Sequence, residues 1–186
     1  MEELKCNPFK KFIKEWALLT SGTKEKFNSM TIKWGTMGTI WGKPIITIFI
    51  RPTRYTFNFL NSNDYFTISF YDNKYKKELS IMGTKSGRDI DKVKETNFTP
   101  KFLNKGITYE EAYETFVCKK CYFQKINIEN VPDEDKKQEE KLDIIYLWNL
   151  LKKNVNSLIC FFIKLFFSFI MRGKKFKYSF FIYFKY

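Results

Sequence analysis

The run KPIITIFI, Lys43 to Ile50, is continuous, apolar and rich in β-branched side chains, which suits a strand buried on both faces and no amphipathic helix. Shorter runs of the same kind recur along the chain. KFNSMTIKWG precedes it across a glycine-rich link, and YFTISFY and the long ETFVCKKCYFQKI follow. Helical signals fall only in the connections. NPFKKFIKEWALLTSG reads as a short amphipathic helix running into a strand, with Gly22 in the next turn. In RPTRYTFNFLNSND, Thr53 can cap a helix whose interior is Arg54 to Leu60. NKYKKELSIMG and SGRDIDKVKET read as two further helical pieces, the second with Asp89 near its positive end. Many short strands without an alternating strand–helix rhythm leave edges that must be closed, so the expected fold is mainly β and barrel-like, with peripheral helices. The 186 residues fit one domain of ordinary size.

The net charge of +13 is unevenly placed. Lys141 to Tyr186 carries nine Lys/Arg against the single acid Asp143, whereas the first 140 residues hold 24 basic and 19 acidic side chains. So mild an excess in the main body reads as a solvated face, and nucleic-acid binding is not expected. The expected organisation is a domain over 1–140 and an atypical apolar, basic tail over 141–186.

There is no histidine, which excludes Ser-His-Asp and Cys-His catalysis and imidazole-bound metals. An enzyme built from this chain needs a cofactor for its chemistry. CKKC, Cys118 to Cys121, lies in a strand-like run where residues an odd number apart point to opposite faces, and no second pair completes a zinc site. Two unpaired strand cysteines are expected. The N-terminus MEELKCNPFKKFIKEW has acids where a signal peptide would be basic and then apolar, so a cytoplasmic protein with reduced thiols is expected.

Two turns could hold an anion. FIRPTRYTF leaves a buried strand and enters a helix beside Arg51, Arg54 and the hydroxyls of Thr53 and Thr56, and the first N–H groups of a helix attract negative charge. GTKSGRD offers Lys85, Ser86 and Arg88 beside a flexible glycine. Together they suit a phosphomonoester; singly, each also reads as an ordinary helix start with solvated arginines. NSMTIKWG adds donors and acceptors from Asn28, Ser29 and Thr31, and polarizable or flat surface from Met30 and Trp34, as an aromatic heterocycle with polar edges requires. Gly35, Gly38 and Gly42 would then admit a close backbone approach. The alternative is that the aromatics are core and the glycines are turns.

NSMTIKWGTMGTIWGKP, followed in order by FIRPTRYTFNFL, DYFTISF and GTKSGRDIDKVK, resembles the flavin reductase-like proteins of the FMN-binding split-barrel family, especially the flavoredoxin-like branch, from about Asn7 to about Lys125. The resemblance implies a Greek-key split barrel that forms a homodimer and holds FMN noncovalently near the subunit interface. It implies phosphate contacts from Arg51, Thr53, Arg54, Thr56, Lys85, Ser86 and Arg88, and a ring lying along Asn28, Ser29, Met30 and Thr31, with Trp34 and Trp41 as walls. It implies an oxidoreductase in which NAD(P)H or a reduced electron-transfer protein delivers electrons to FMN, or a carrier with no turnover of its own. No catalytic acid or base is assigned.

The tail departs from this pattern. Family members continue with a Tyr-His pair and an apolar closing strand, where this chain has EEKLDIIYLWNLLKKN. Back-translated with A/T-rich codons and read from the third base, DIIYLWNLL yields Tyr-His and a β-rich run. A frameshift near Lys136 to Asp143 is the hypothesis that joins the missing histidine, the jump in basic charge and the terminal FKYSFFIYFKY. It predicts a barrel lacking its native closing strand, with LDIIYLWNLL as a partial substitute. LICFFIKLFFSFIM, Leu158 to Met171, is shorter than a spanning helix needs and is interrupted by Lys164, so contact of the tail with a membrane surface is the form of membrane association it suits.

Overall fold

The computed structural model describes residues 7–133 and 144–155. Helix α1, Pro8–Lys14, starts where the Asn7 side chain accepts the Lys10 N–H at 3.2 Å, with Pro8 in the first turn, where its missing N–H costs nothing. Trp16, at φ +57°, turns the chain into β1, Ala17–Gly22. β1 pairs with β2, Phe27–Ile32. β3, Gly35–Ile40, and β4, Lys43–Ile50, form a second hairpin. Its two-residue loop is Trp41–Gly42, both at positive φ, the pattern that matches strand twist in tight hairpins. Then come α2, Tyr55–Ser62, β5, Tyr65–Phe70, and α3, Lys76–Thr84. A small hairpin, β6, Pro100–Leu103, with β7, Gly106–Tyr109, precedes β8, Glu114–Gln124, and β9, Ile144–Val155.

The main sheet is antiparallel, in the order β2-β1-β5-β8-β9-β4-β3. Later strands are thus inserted between the two early hairpins, an interleaved Greek-key order. β2 and β3 are consecutive in the chain yet lie at opposite edges, so the curled sheet stays split there. One face of nearly every strand converges on a single core of Leu19, Ile32, Ile46, Ile48, Phe66, Ile68, Phe70 and Phe116, joined by Phe12 of α1 and Leu60 of α2. β1 is covered on its other face too, because Leu18 packs against Leu79 and Met82 of α3 and against Tyr71, Phe98 and Tyr109. Burial on both faces is why ALLTSG carries no alternation. Hydroxyls under this second layer are paired among themselves: Thr20 with Ser29, Ser29 with Tyr109, and Ser69 with Thr108 and Thr115.

KPIITIFI is the buried strand its composition predicts, and CKKC is split by the strand, with Cys118 buried, Cys121 exposed and neither in a disulfide. Two expectations are corrected. SGRDIDKVKET is a succession of turns, because the Asp91 carboxylate accepts the Val93 and Lys94 N–H groups that a helix would use and the Lys92 side chain is drawn inward. Thr53 does not cap α2; a turn closed by Arg54 N–H on Arg51 C=O delays the helix, and Arg54 precedes it without a side-chain cap. LDIIYLWNLL, expected as a partial substitute strand, falls largely in β9, which pairs with β4 on one side and β8 on the other. The acidic loop beyond Asp133 and the apolar run of the tail lie outside the described residues. Among the described residues, no helix is long and apolar enough to cross a membrane.

Candidate phosphate and flavin site

The two cationic turns meet, although more than 30 positions separate them in the chain. Arg88 of the second turn donates from Nη1 to the Thr53 carbonyl of the first at 3.4 Å, and its guanidinium lies 4.9 Å from the centre of the Tyr55 ring. Gly87 makes this approach possible. A Cβ there would fall 2.1 Å from Asn28 Oδ1, so the turn rests directly on the Asn28 amide. Asn28 in turn donates from Nδ2 to Thr56 Oγ1 at 2.8 Å, and both side chains are buried. β2, α2 and the second turn are therefore locked through one side chain. α3 closes the remaining side, where a Cβ on Gly83 would fall 1.9 Å from Thr31 Oγ1.

Between these elements lies a recess of about 120 Å³ lined by Asn28, Met30, Thr53, Arg54, Thr56, Lys85, Ser86 and Arg88, with Tyr55, Gly83, Thr84, Gly87 and Lys92. That is room for roughly four waters, the scale of one phosphate group. No carboxylate lines it, and among the described residues no ion pair engages Arg54, Lys85, Arg88 or Lys92. The first N–H groups of α2 stand at its wall without a side-chain cap. Of the eleven residues expected at the site, Ser29, Thr31 and Arg51 do not line the recess. Ser29 hydrogen-bonds within the hydroxyl layer, Thr31 packs on α3, and Arg51 lies outside as the carbonyl partner of Arg54.

Sequence reasoning missed Lys92. Its ammonium is buried and donates to the carbonyls of Ser29 at 2.8 Å and Met82 at 2.7 Å, tying the 86–96 segment to β2 and to α3. Burial, and secondarily the Arg54 charge, push its pKa down from 10.5 to about 8. DIDKVK reads as a solvated face, and nothing local in it signals an inward lysine. The Ser29 carbonyl faces away from β1 to reach Lys92, so by strand alternation the backbone groups of Thr31 also face the open edge of β2.

A larger cleft of about 590 Å³ adjoins the recess, lined by Phe27, Ser29, Phe59 and Tyr109 and by acids (Glu25, Asp89, Asp91) and cations (Lys26, Arg88, Lys92) alike. Burial pushes the Tyr109 phenol up to about 12, against a smaller opposing effect of its Ser29 hydrogen bond, so it stays neutral. Trp34 and Trp41 are exposed and line neither cavity. The glycines expected to admit a ligand have other work. Gly35 presses on the Phe12 ring, Gly42 makes the hairpin turn, and around Gly38 there is open space. Among the described residues, no group of side chains could hold a metal ion.

No curated protein is significantly similar in sequence. Solved structures share the fold. Flavoredoxin from Methanosarcina acetivorans superposes with a TM-score of 0.62 at 17% identity, covering 83% of this chain and 76% of that one. An FMN-binding protein from Thermus thermophilus, solved with 1-cyclohex-2-enone, gives 0.62 at 18% identity, covering 84% and 81%. Nitrilotriacetate monooxygenase component B from Bacillus cereus gives 0.59 at 14% identity, covering 82% and 72%. The sequence profile of the flavin reductase like domain matches residues 9–121, which take in α1 through most of β8 and both cationic turns. A split barrel of this topology, carrying that profile over more than half its length, belongs to the flavin reductase-like family.

Proposed function

We propose that this protein binds FMN and acts as an oxidoreductase of the flavin reductase type, passing electrons from NAD(P)H or a reduced protein partner to an acceptor as a homodimer. The observation that carries the reading is the carboxylate-free recess where two separate cationic turns meet beside the open edge of β2. Its donor set fits a phosphate monoester: Arg54, Lys85 and Arg88 supply charge, Thr53 and Ser86 hydroxyls, and the start of α2 backbone N–H groups. Arg51 adds charge from outside the recess. Lys92 neutralises from below and holds β2 in place. Asn28 donates to Thr56 Oγ1 and is the bracket that keeps the turns together, while the Thr56 hydroxyl, accepting there, keeps its own hydrogen to donate. The backbone groups of Thr31, which face the open edge of β2, with the Met30 side chain, suit the polar edge and flat face of a heterocycle.

FMN, when bound, supplies the hydride and electron transfer for which no side chain here is equipped. The chain's part is to fix the phosphate, and through it the ring, against one strand edge. Gently purified protein is expected to be yellow, and apo-protein to quench flavin fluorescence and rise in Tm on adding FMN. A colourless protein indifferent to FMN in both assays would sink the reading. Steady-state oxidation of NADH or NADPH with excess free flavin then separates the reductase from the carrier, because a carrier holds FMN but shows no rate above background.

A further inference from the structure

We propose that the outer face of α1 docks on an anionic lipid surface, with Phe9 and Ile13 entering the headgroup layer and Lys10, Lys14, Lys33 and Lys76 meeting the lipid charges. The inner face of the helix is fixed. Phe12 packs in the core, and the buried Lys11 ammonium donates to the Glu114 carboxylate at 2.6 Å and to the Tyr113 hydroxyl at 2.7 Å. The outer face is thereby held in one orientation. Phe9 and Ile13 stand four residues apart on it, 78% and 65% exposed, so most of their apolar area remains in water.

Cations gather round this pair. Lys10, Ile13 and Lys14 line a cleft of about 540 Å³ together with Trp16 and with Lys76 from the start of α3. Lys33 lies 4.4 Å and Lys76 5.8 Å from the Trp16 ring centre. Gly35, pressed on the Phe12 ring, brings the exposed Trp34 to the same flank, and tryptophan suits the headgroup layer. None of the four lysines is in an ion pair among the described residues. Of the two acids in the cleft, Glu15 is taken up by Lys11 and the Tyr113 hydroxyl, which leaves Asp72. That charge selects the occupant. A second copy meeting this face across a two-fold axis would set lysines against lysines. The chain's own tail fits no better: β9 ends at Val155 opposite Glu114, the residue that holds Lys11, and the apolar sequence that continues from there carries Lys164, Arg172, Lys174 and Lys175, of the same sign. Two apolar, basic stretches that begin at one end of the sheet share an anionic target, and a lipid surface offers both hydrocarbon for Phe9 and Ile13 and phosphate charge for the lysines.

The test is co-sedimentation of the full chain with phosphatidylcholine vesicles, with and without phosphatidylserine, for wild type, for Phe9→Gln with Ile13→Gln, and for Lys10→Gln with Lys14→Gln. Wild type is expected to partition onto the phosphatidylserine vesicles and to be released as salt is raised. The apolar pair should lower the partition constant about a hundredfold, roughly tenfold per side chain, and the lysine pair about 25-fold, roughly fivefold per cation. All four positions are exposed and glutamine is a good helix former, so Tm should hold; none of the four lines the recess or the cleft beside it, so FMN binding should hold as well. No sedimentation with phosphatidylserine vesicles, or equal binding without phosphatidylserine, overturns the inference. Variants that bind as wild type does overturn it too, because the tail alone would then hold the membrane. If the apolar pair instead splits a dimer in light scattering and leaves vesicle binding intact, the face is a subunit interface and the inference falls.

Discussion

Gly87→Ala tests the junction on which the site depends. The new Cβ would fall 2.1 Å from Asn28 Oδ1 and 3.1 Å from its Cγ, and the Asn28 amide is not free to swing because it is buried and bonded to Thr56. Moving it leaves Thr56 Oγ1 and the amide without a partner, a loss of about 1–3 kcal/mol for a buried hydrogen bond. Alanine restricts the unfolded chain and returns about 0.4–1 kcal/mol, since Gly87 is not at a positive φ. The expected net destabilisation is about 1–2 kcal/mol, or roughly 2–8 °C in Tm for a chain of this size. Thermal and urea unfolding of wild type, Gly87→Ala, Asn28→Ala and the double variant close a cycle. With the Asn28 amide removed, the nearest remaining atom is Tyr55 Cδ1 at 3.2 Å, a contact that a shift of a few tenths of an ångström relieves, so Gly87→Ala should then cost far less. An equal cost in both backgrounds would refute the reasoning, because the resistance would then lie in the backbone of the turn.

Arg54→Ala and Lys85→Ala should each weaken FMN about tenfold while leaving riboflavin unchanged, since only the phosphate uses these charges; an equal loss of riboflavin in a binding titration would move the phosphate elsewhere. Lys92 has a folded pKa of about 8, below its ordinary 10.5, so between those values the unfolded chain holds more protons there and folding stability gains with rising pH. The stability of wild type relative to Lys92→Met should therefore grow from pH 8 to 10.5, as read by denaturant unfolding, and a flat difference would contradict the burial of the charge. For the tail, sequencing the DNA that encodes Lys136 to Asp143 decides the frameshift hypothesis: codons giving no Tyr-His in either shifted frame dispose of it.

What the sequence determined by itself is whatever depends on neighbours along the chain. The apolar run Lys43–Ile50 and the helix before Ala17 follow from local periodicity and side-chain type. The family was legible because its motifs are runs of consecutive residues, and eight of the eleven expected site residues do line one recess. Tertiary structure alone decided the rest. Lys92 points inward because the carbonyls of Ser29 and Met82, far from it in sequence, lie within reach of one ammonium. Asn28 is a bracket instead of a free ligand donor because Gly87 and Thr56 close on it from two other segments. Helical pattern over 86–96 yielded to turns once those long-range bonds were available, since a buried polar group must find a partner wherever the fold supplies one. Whether β9 closes the sheet was likewise beyond local reading: an apolar run announces a strand, but only the gap between β4 and β8 gives it a place.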